Sequence, residues 1–183
     1  MAELYLKIPT LSDKEEWLEY IKEYKENDPL NNPLINDGAS SYEEWLKERV
    51  NEHYGIDLKP GRVPATVYFL MKGNRIVGNL SIRHNINTEF LSTFGGHIGY
   101  QIRPSERRKG YGKKILNLAL QECHDMNLKN VLITCKKENT GSRKIIESNM
   151  GEFKTEVTMD DGTIFKQYWI DVDKSLHINT PHR

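Results

Sequence analysis

Gly95-Gly-His-Ile-Gly-Tyr100-Gln-Ile-Arg-Pro-Ser105-Glu-Arg-Arg-Lys-Gly110-Tyr-Gly-Lys-Lys-Ile115, continuing to Met126, is the stretch whose reading decides the fold. The β-branched and aromatic run from His97 to Ile102 predicts a strand, and Arg103-Pro104-Ser105 stops it, because proline cannot continue a central ladder. A few residues later Ile115, Leu116, Ala119, Leu120, Cys123 and Met126 form a stripe at helical spacing that seats a helix on a sheet. Between strand and helix, Gly110 and Gly112 let the backbone approach a ligand without Cβ obstruction. The first-turn amides of the helix then point at one spot, and the helix dipole adds to the charge of Arg107, Arg108, Lys109 and Lys113. This reads as a site for a polyphosphate. A glycine-containing turn followed by a basic, solvated helix face is the other reading of the same spacing. Two phosphate motifs are excluded on residue type. Lys113 is followed by Lys114, not by Ser or Thr, and no third glycine completes a dinucleotide fingerprint after Gly112.

Working outward, residues 130–136 form a nearly continuous apolar run, as expected of a strand covered on both faces. A helix from about Thr140 to Ser148 follows, then strands 152–159 and 164–172 around the turn Asp160-Asp161-Gly162-Thr163. Upstream, 63–71 and 75–83 read as a hairpin joined at Lys72-Gly73-Asn74. The chain opens on a short strand ending at Pro9. A helix over 12–27 with Trp17, Leu18, Ile21 and Tyr24 on its stripe comes next, then a second from Ser40 or Ser41 to about His53. Residues 85–96 give no readable conformation, and 173–183 are expected to be polar and frayed. The sum is an α/β fold with a mixed sheet, antiparallel at its hairpins and parallel where 97–102 meets 131–135.

With 183 residues, 37% hydrophobic and 28% charged, the chain fills one core and is short for two. One domain over 1–183 is expected: a strand and two helices (1–62), a sheet core (63–172) and a polar tail (173–183). Formal charge is +0, so no overall field favours nucleic acid or an anionic membrane. The basic run from Arg103 to Lys114 lacks the interleaved aromatics of a single-strand binder, with only Tyr111 present. Cys123 and Cys135 fall on buried faces and read as reduced thiols. No leader pattern and no apolar run near about 18 residues is found, which points to the cytoplasm.

Arg107-Arg108-Lys109-Gly110-Tyr111-Gly112 resembles the [RQ]xxGx[GA] signature of GNAT-type N-acetyltransferases. The resemblance extends through Val131 to Cys135, Asn139-Thr140-Gly141-Ser142 and Asn149-Met150-Gly151-Glu152-Phe153, and covers roughly residues 63–171. It implies two parallel strands splayed at their carboxyl ends, acetyl-CoA as cosubstrate, no metal, and a primary amine of a small molecule or peptide as acceptor. A homodimer is left open. Residues 1–62 would shape the acceptor side. Coenzyme-binding residues implied are Gln101, Ile102, Arg107, Arg108, Lys109, Gly110, Tyr111, Gly112, Lys113, Asn139 and Ser142, with Tyr100 to Ile102 pairing with the pantetheine arm. Asn139 reads equally as a helix cap.

Acyl transfer to an amine needs a held donor, a neutral amine and stabilisation of developing charge. Glu89 and His97 are candidate bases and Tyr100 a proton donor or acceptor. His97 reads equally as an edge residue at the start of its strand. Many family members carry a tyrosine acid four residues after the serine of the Asn-x-x-Ser step, and here that position is Ile146. A non-catalytic acyl-CoA-sensing module is therefore the alternative to an enzyme.

Overall fold

The structure is a computed structural model that describes residues 3–33 and 39–179. Strands β1 (Leu4–Lys7), β2 (Ala65–Lys72), β3 (Arg75–Arg83) and β4 (Ile98–Ile102) form one antiparallel ladder in that order. Strands β5 (Asn130–Lys136), β6 (Glu152–Thr158) and β7 (Ile164–Asp171) form a second, with β7 in the middle. Helices α1 (Lys14–Asn27) and α2 (Tyr42–Tyr54) lie between β1 and β2, α3 (Tyr111–Asp125) links β4 to β5, α4 (Thr140–Glu147) follows β5, and α5 (Val172–Asn179) follows β7.

Register sorts the first ladder into two faces. Phe69 pairs with Asn79 and Asn79 with Gln101, while Ser81 pairs with Gly99, so these residues share one face. Helices α1 and α2 cover part of it with an aromatic core in which Trp45 stacks on Phe69 at 5.8 Å. Tyr68, Leu80, Ile82 and Ile98 point the other way and pack with Ile115, Leu116, Ala119 and Leu120 of α3. The stripe read in the sequence is thus the buried face of α3, and the helix cannot slide without opening this core.

Helix α1 differs from expectation in one position. Leu18 is 48% exposed, and Tyr20 is buried in its place. The reason is a polar contact that apolar periodicity does not register: the Tyr20 hydroxyl donates to Asn79 Oδ1 at 2.7 Å and that of Tyr24 to the Ile102 carbonyl at 2.8 Å. The same helix holds Arg103, whose side chain is only 4% exposed, through Glu16 and Glu23 at 2.6 Å each. Arg103 Nη1 also donates to the Ile76 carbonyl at 3.0 Å. Burial raises the Glu23 pKa, but its bonds from Arg103 and Ser105 outweigh that and hold it below the ordinary carboxylate range. This network ties α1 to the end of β4.

The C-terminal segment expected to fray instead forms α5 through Asn179; residues 180–183 lie outside the described part. Val172 and Ser175 are buried and Leu176 packs on the core, a spacing of three and four that makes one helical face. Ser175 Oγ donates to the Asn149 carbonyl at 2.9 Å. Within 85–96, Leu91–Gly95 is a π-helical turn. Among the described residues no helix is long and apolar enough to cross a membrane.

Candidate active site

Among the described residues the two ladders are hydrogen-bonded to each other at one point. His97 N–H donates to the Leu132 carbonyl at 2.7 Å, and Leu132 N–H donates to the imidazole Nδ1 of His97 at 3.0 Å. Beyond that, no main-chain bond joins β4 to β5 among the described residues, so the strands part towards their carboxyl ends. The expected parallel contact is confined to this vertex, where a side chain takes the place of the next ladder acceptor. Gly96, with φ +65°, sits there because a Cβ would come within 2.6 Å of the Leu132 carbonyl.

The edge of β4 that faces the gap is open except at the Ile102 carbonyl, which accepts from the Tyr24 hydroxyl and from Arg107 Nε. His97 C=O accepts from Arg83 and Arg103 N–H donates to Val77 on the β3 side. Alternation therefore turns Gly99 and Gln101 towards β3 and leaves the N–H groups of Tyr100 and Ile102 on the gap side. A cavity of about 470 Å³ fills this corner, lined by Tyr100, Gln101, Ile102, Arg107, Arg108, Tyr111, Gly112, Asn139 and Ser142 among others. The Tyr100 hydroxyl is buried and directed towards Ser142, without a hydrogen-bond partner. Burial raises its pKa.

At the head of α3 the main-chain N–H groups of Arg108 through Lys113 have no protein acceptor among the described residues. Arg108 (φ 64°) and Gly110 (φ 82°) alternate with ordinary residues in a left-handed conformation, which turns successive amides into a concavity suited to an anion. The cations divide. Arg107 pairs with Asp28 at 2.5 Å and Lys109 with Glu106 at 2.9 Å, whereas Arg108 and Lys113 have no carboxylate within 4 Å among the described residues. The second glycine has a different role from the first. A Cβ on Gly112 would lie 2.4 Å from Ile145 Cδ1, so Gly112 lets α4 close against α3, while the space around Gly110 is open.

An Acetyltransferase (GNAT) domain profile matches residues 3–149. The chain belongs to the GNAT acetyltransferase family. Solved GNAT structures similar to it include the microcin self-immunity acetyltransferase MccE in complex with acetyl-CoA and AMP (20% identity, TM-score 0.65, 92% of each chain). Mycobacterium smegmatis RimJ with CoA-disulfide follows at 17% identity and TM-score 0.70, over 95% of this chain and 86% of that one. RimL, a ribosomal L7/L12 alpha-N-protein acetyltransferase in complex with coenzyme A, is 16% identical, with TM-score 0.67 over 93% and 94%. No curated protein matches this GNAT chain by sequence.

The fold brings most of the residues singled out in the sequence to one corner and separates two from it. His97 is 6% exposed, packs 6.3 Å from Trp169 and does not line the cavity. Burial and the Arg83 charge lower its pKa, and its Nδ1 is committed to Leu132, so the ring is a neutral pin at the vertex. Glu89 is exposed at the π-helical turn, away from the cavity. Asn139 Oδ1 accepts from Ser142 N–H at 2.9 Å, which makes it the α4 cap while it also lines the cavity. Asp28 and Asn31 line it as well, and Gln101 Nε2 donates to the Asn31 carbonyl at 2.8 Å. In the sequence, Asp28-Pro29 signals only a helix end, and nothing local announces partners seventy or more residues away. Ile146 is 1% exposed in the core, so the usual tyrosine position offers no acid.

Proposed function

We propose that this GNAT protein transfers an acetyl group from acetyl-CoA directly to a primary amine of a small molecule or peptide. The observation that carries the reading is the run of unpaired amides from Arg108 to Lys113 beside the open edge of β4. Residues and ligand fit each other: a diphosphate needs converging donors, and an extended amide arm needs an unpaired strand edge. Acetyl-CoA supplies an acyl group activated as a thioester. In this reading the amides of Arg108 to Lys113 hold the diphosphate, helped by the charges of Arg108 and Lys113. The N–H groups of Tyr100 and Ile102 bind the arm, and one of them donates to the oxygen that gains charge during transfer.

Tyr100 gives its proton to the sulfur as the carbon–sulfur bond breaks. Its buried hydroxyl is directed towards Ser142, and burial, which outweighs that contact, keeps it protonated at neutral pH. The cavity's own carboxylates, Asp28 and Glu106, are ion-paired, so the amine proton leaves through water. Burial pushes the thiol of Cys123 up to about 12 and raises that of Cys135, which disfavours a covalent route through either. Tyr100→Phe is expected to lower kcat by roughly 10- to 100-fold. KM for acetyl-CoA should stay within about twofold, because the hydroxyl acts on the leaving sulfur and not on ground-state binding. Thiol release from acetyl-CoA across a panel of primary amines tests the whole reading. Tight binding with no turnover on any amine would favour the sensing module, to which the buried Ile146 lends support.

A further inference from the structure

The face of the first ladder that carries Ser81, Arg83, Gly99 and Gln101 is left uncovered beyond the end of α2, and a Cβ on Gly99 would meet nothing within 4 Å. A second cavity of about 210 Å³ opens on this face, lined by Glu52, Arg62, Ser81, Arg83, Phe90 and Leu91 among others. It adjoins the reaction corner through the register: Ser81 is the cross-strand partner of Gly99, the residue before Tyr100.

The charges in this cavity do not balance. Arg83 Nη1 donates to the carbonyls of Gly95 at 3.2 Å and Gly96 at 3.0 Å. Among the described residues no carboxylate lies within 4 Å of its guanidinium, and its Nε and Nη2 have no protein acceptor. Burial and the neighbouring Arg62 charge hold its pKa below the ordinary arginine value, against the opposing pull of Glu52. Among the described residues the one carboxylate paired with Arg62 is Glu52, at 3.5 Å, and Glu52 is shared with Arg49 at 3.1 Å. Two guanidinium forks, one of them anchored, therefore face a small chamber walled by Phe90 and Leu91. That is the donor set for a carboxylate.

We propose that this cavity is an acceptor subsite, and that the amine acetylated by this protein carries a carboxylate held by Arg83 and Arg62. The inference rests on the acetyltransferase reading. Ser81 and Arg83 are two residues apart along β3, about 7 Å. The fitting acceptor is thus an amine with its carboxylate about that far from the reacting nitrogen, as in a peptide whose second residue is acidic.

Two product-like probes, acetyl-alanyl-aspartate amide and acetyl-alanyl-asparagine amide, are titrated into the coenzyme A-saturated protein. The acidic probe is expected to bind at least about tenfold tighter, the difference between a paired and an absent charge at a partly buried fork. Arg62→Gln and Arg83→Lys should each bring the ratio towards unity, and unchanged coenzyme A affinity shows that these variants are folded. Equal affinity of the two probes, no binding of the acidic one, or a ratio that survives both substitutions overturns the proposal. Thiol release with the corresponding free amines tests the enzyme reading separately. Absent turnover with the acidic preference intact removes the enzyme and keeps the subsite.

Discussion

Gly110→Asp is expected to weaken coenzyme A binding by at least about 2 kcal/mol, roughly 30-fold in Kd, in a protein that remains folded. Gly110 has φ +82° and nothing within 4 Å of its would-be Cβ, so an aspartate side chain meets no steric barrier. Left-handed backbone costs a non-glycine residue on the order of 1 kcal/mol, which lowers stability without preventing folding. The larger effect is electrostatic. A carboxylate would stand at the head of α3, among the amides of Arg108 to Lys113 that a diphosphate requires. Gly110→Asn separates the two contributions, because asparagine tolerates the same backbone and brings no charge. It should lose only a few-fold in affinity. Calorimetric titration of both variants, with thermal unfolding alongside, reads the difference, and a folded aspartate variant with wild-type affinity would contradict the placement of the site.

Arg103→Met should lower the unfolding free energy by about 3–5 kcal/mol, the usual cost of removing one partner from a buried ionic network. The methionine fills most of the volume, but Glu16 loses its cation, Glu23 is left with Arg75 at 3.6 Å, and the Ile76 carbonyl loses its donor. The deficit has a pH signature. Glu23 titrates below its ordinary value in the folded protein, so its contribution is fully present above the unfolded carboxylate pKa and is lost as pH falls through the lowered folded value. The wild type therefore loses this stabilisation in acid, the variant has less of it to lose, and the gap between them should narrow below about pH 4. Urea unfolding at neutral and acid pH measures both quantities. A gap that is constant across pH would assign the loss to packing alone.

Local pattern carried much of this fold and a smaller part of its site. The strand from Ile98, the stop at Pro104 and the stripe of α3 are all periodic or punctuated features, and they stand where the residues place them. Tyr20 in place of Leu18, and the ordering of α5, depend on partners remote in sequence, Asn79 and Asn149, which no window along the chain contains. The same holds within the site. Gly110 and Gly112 look alike in sequence, yet one supplies a left-handed turn and the other a close approach to Ile145. Arg107 looks like a free cation until folding brings Asp28 to it. His97 looks like a base or an edge residue, and only the parting of β4 from β5 shows why its ring is needed where main-chain pairing stops.

The N–H groups from Arg108 to Lys113, without a protein acceptor among the described residues, are proposed to converge on one diphosphate. Backbone amide resonances of the protein, followed by NMR as coenzyme A is added, test it most directly. The amides of 108–113 and those of Tyr100 and Ile102 are expected to shift together and become protected from exchange, and pyrophosphate alone to move the first set but not the second. Saturable coenzyme A binding that leaves the 108–113 amides unmoved and exchanging as before would contradict the proposal.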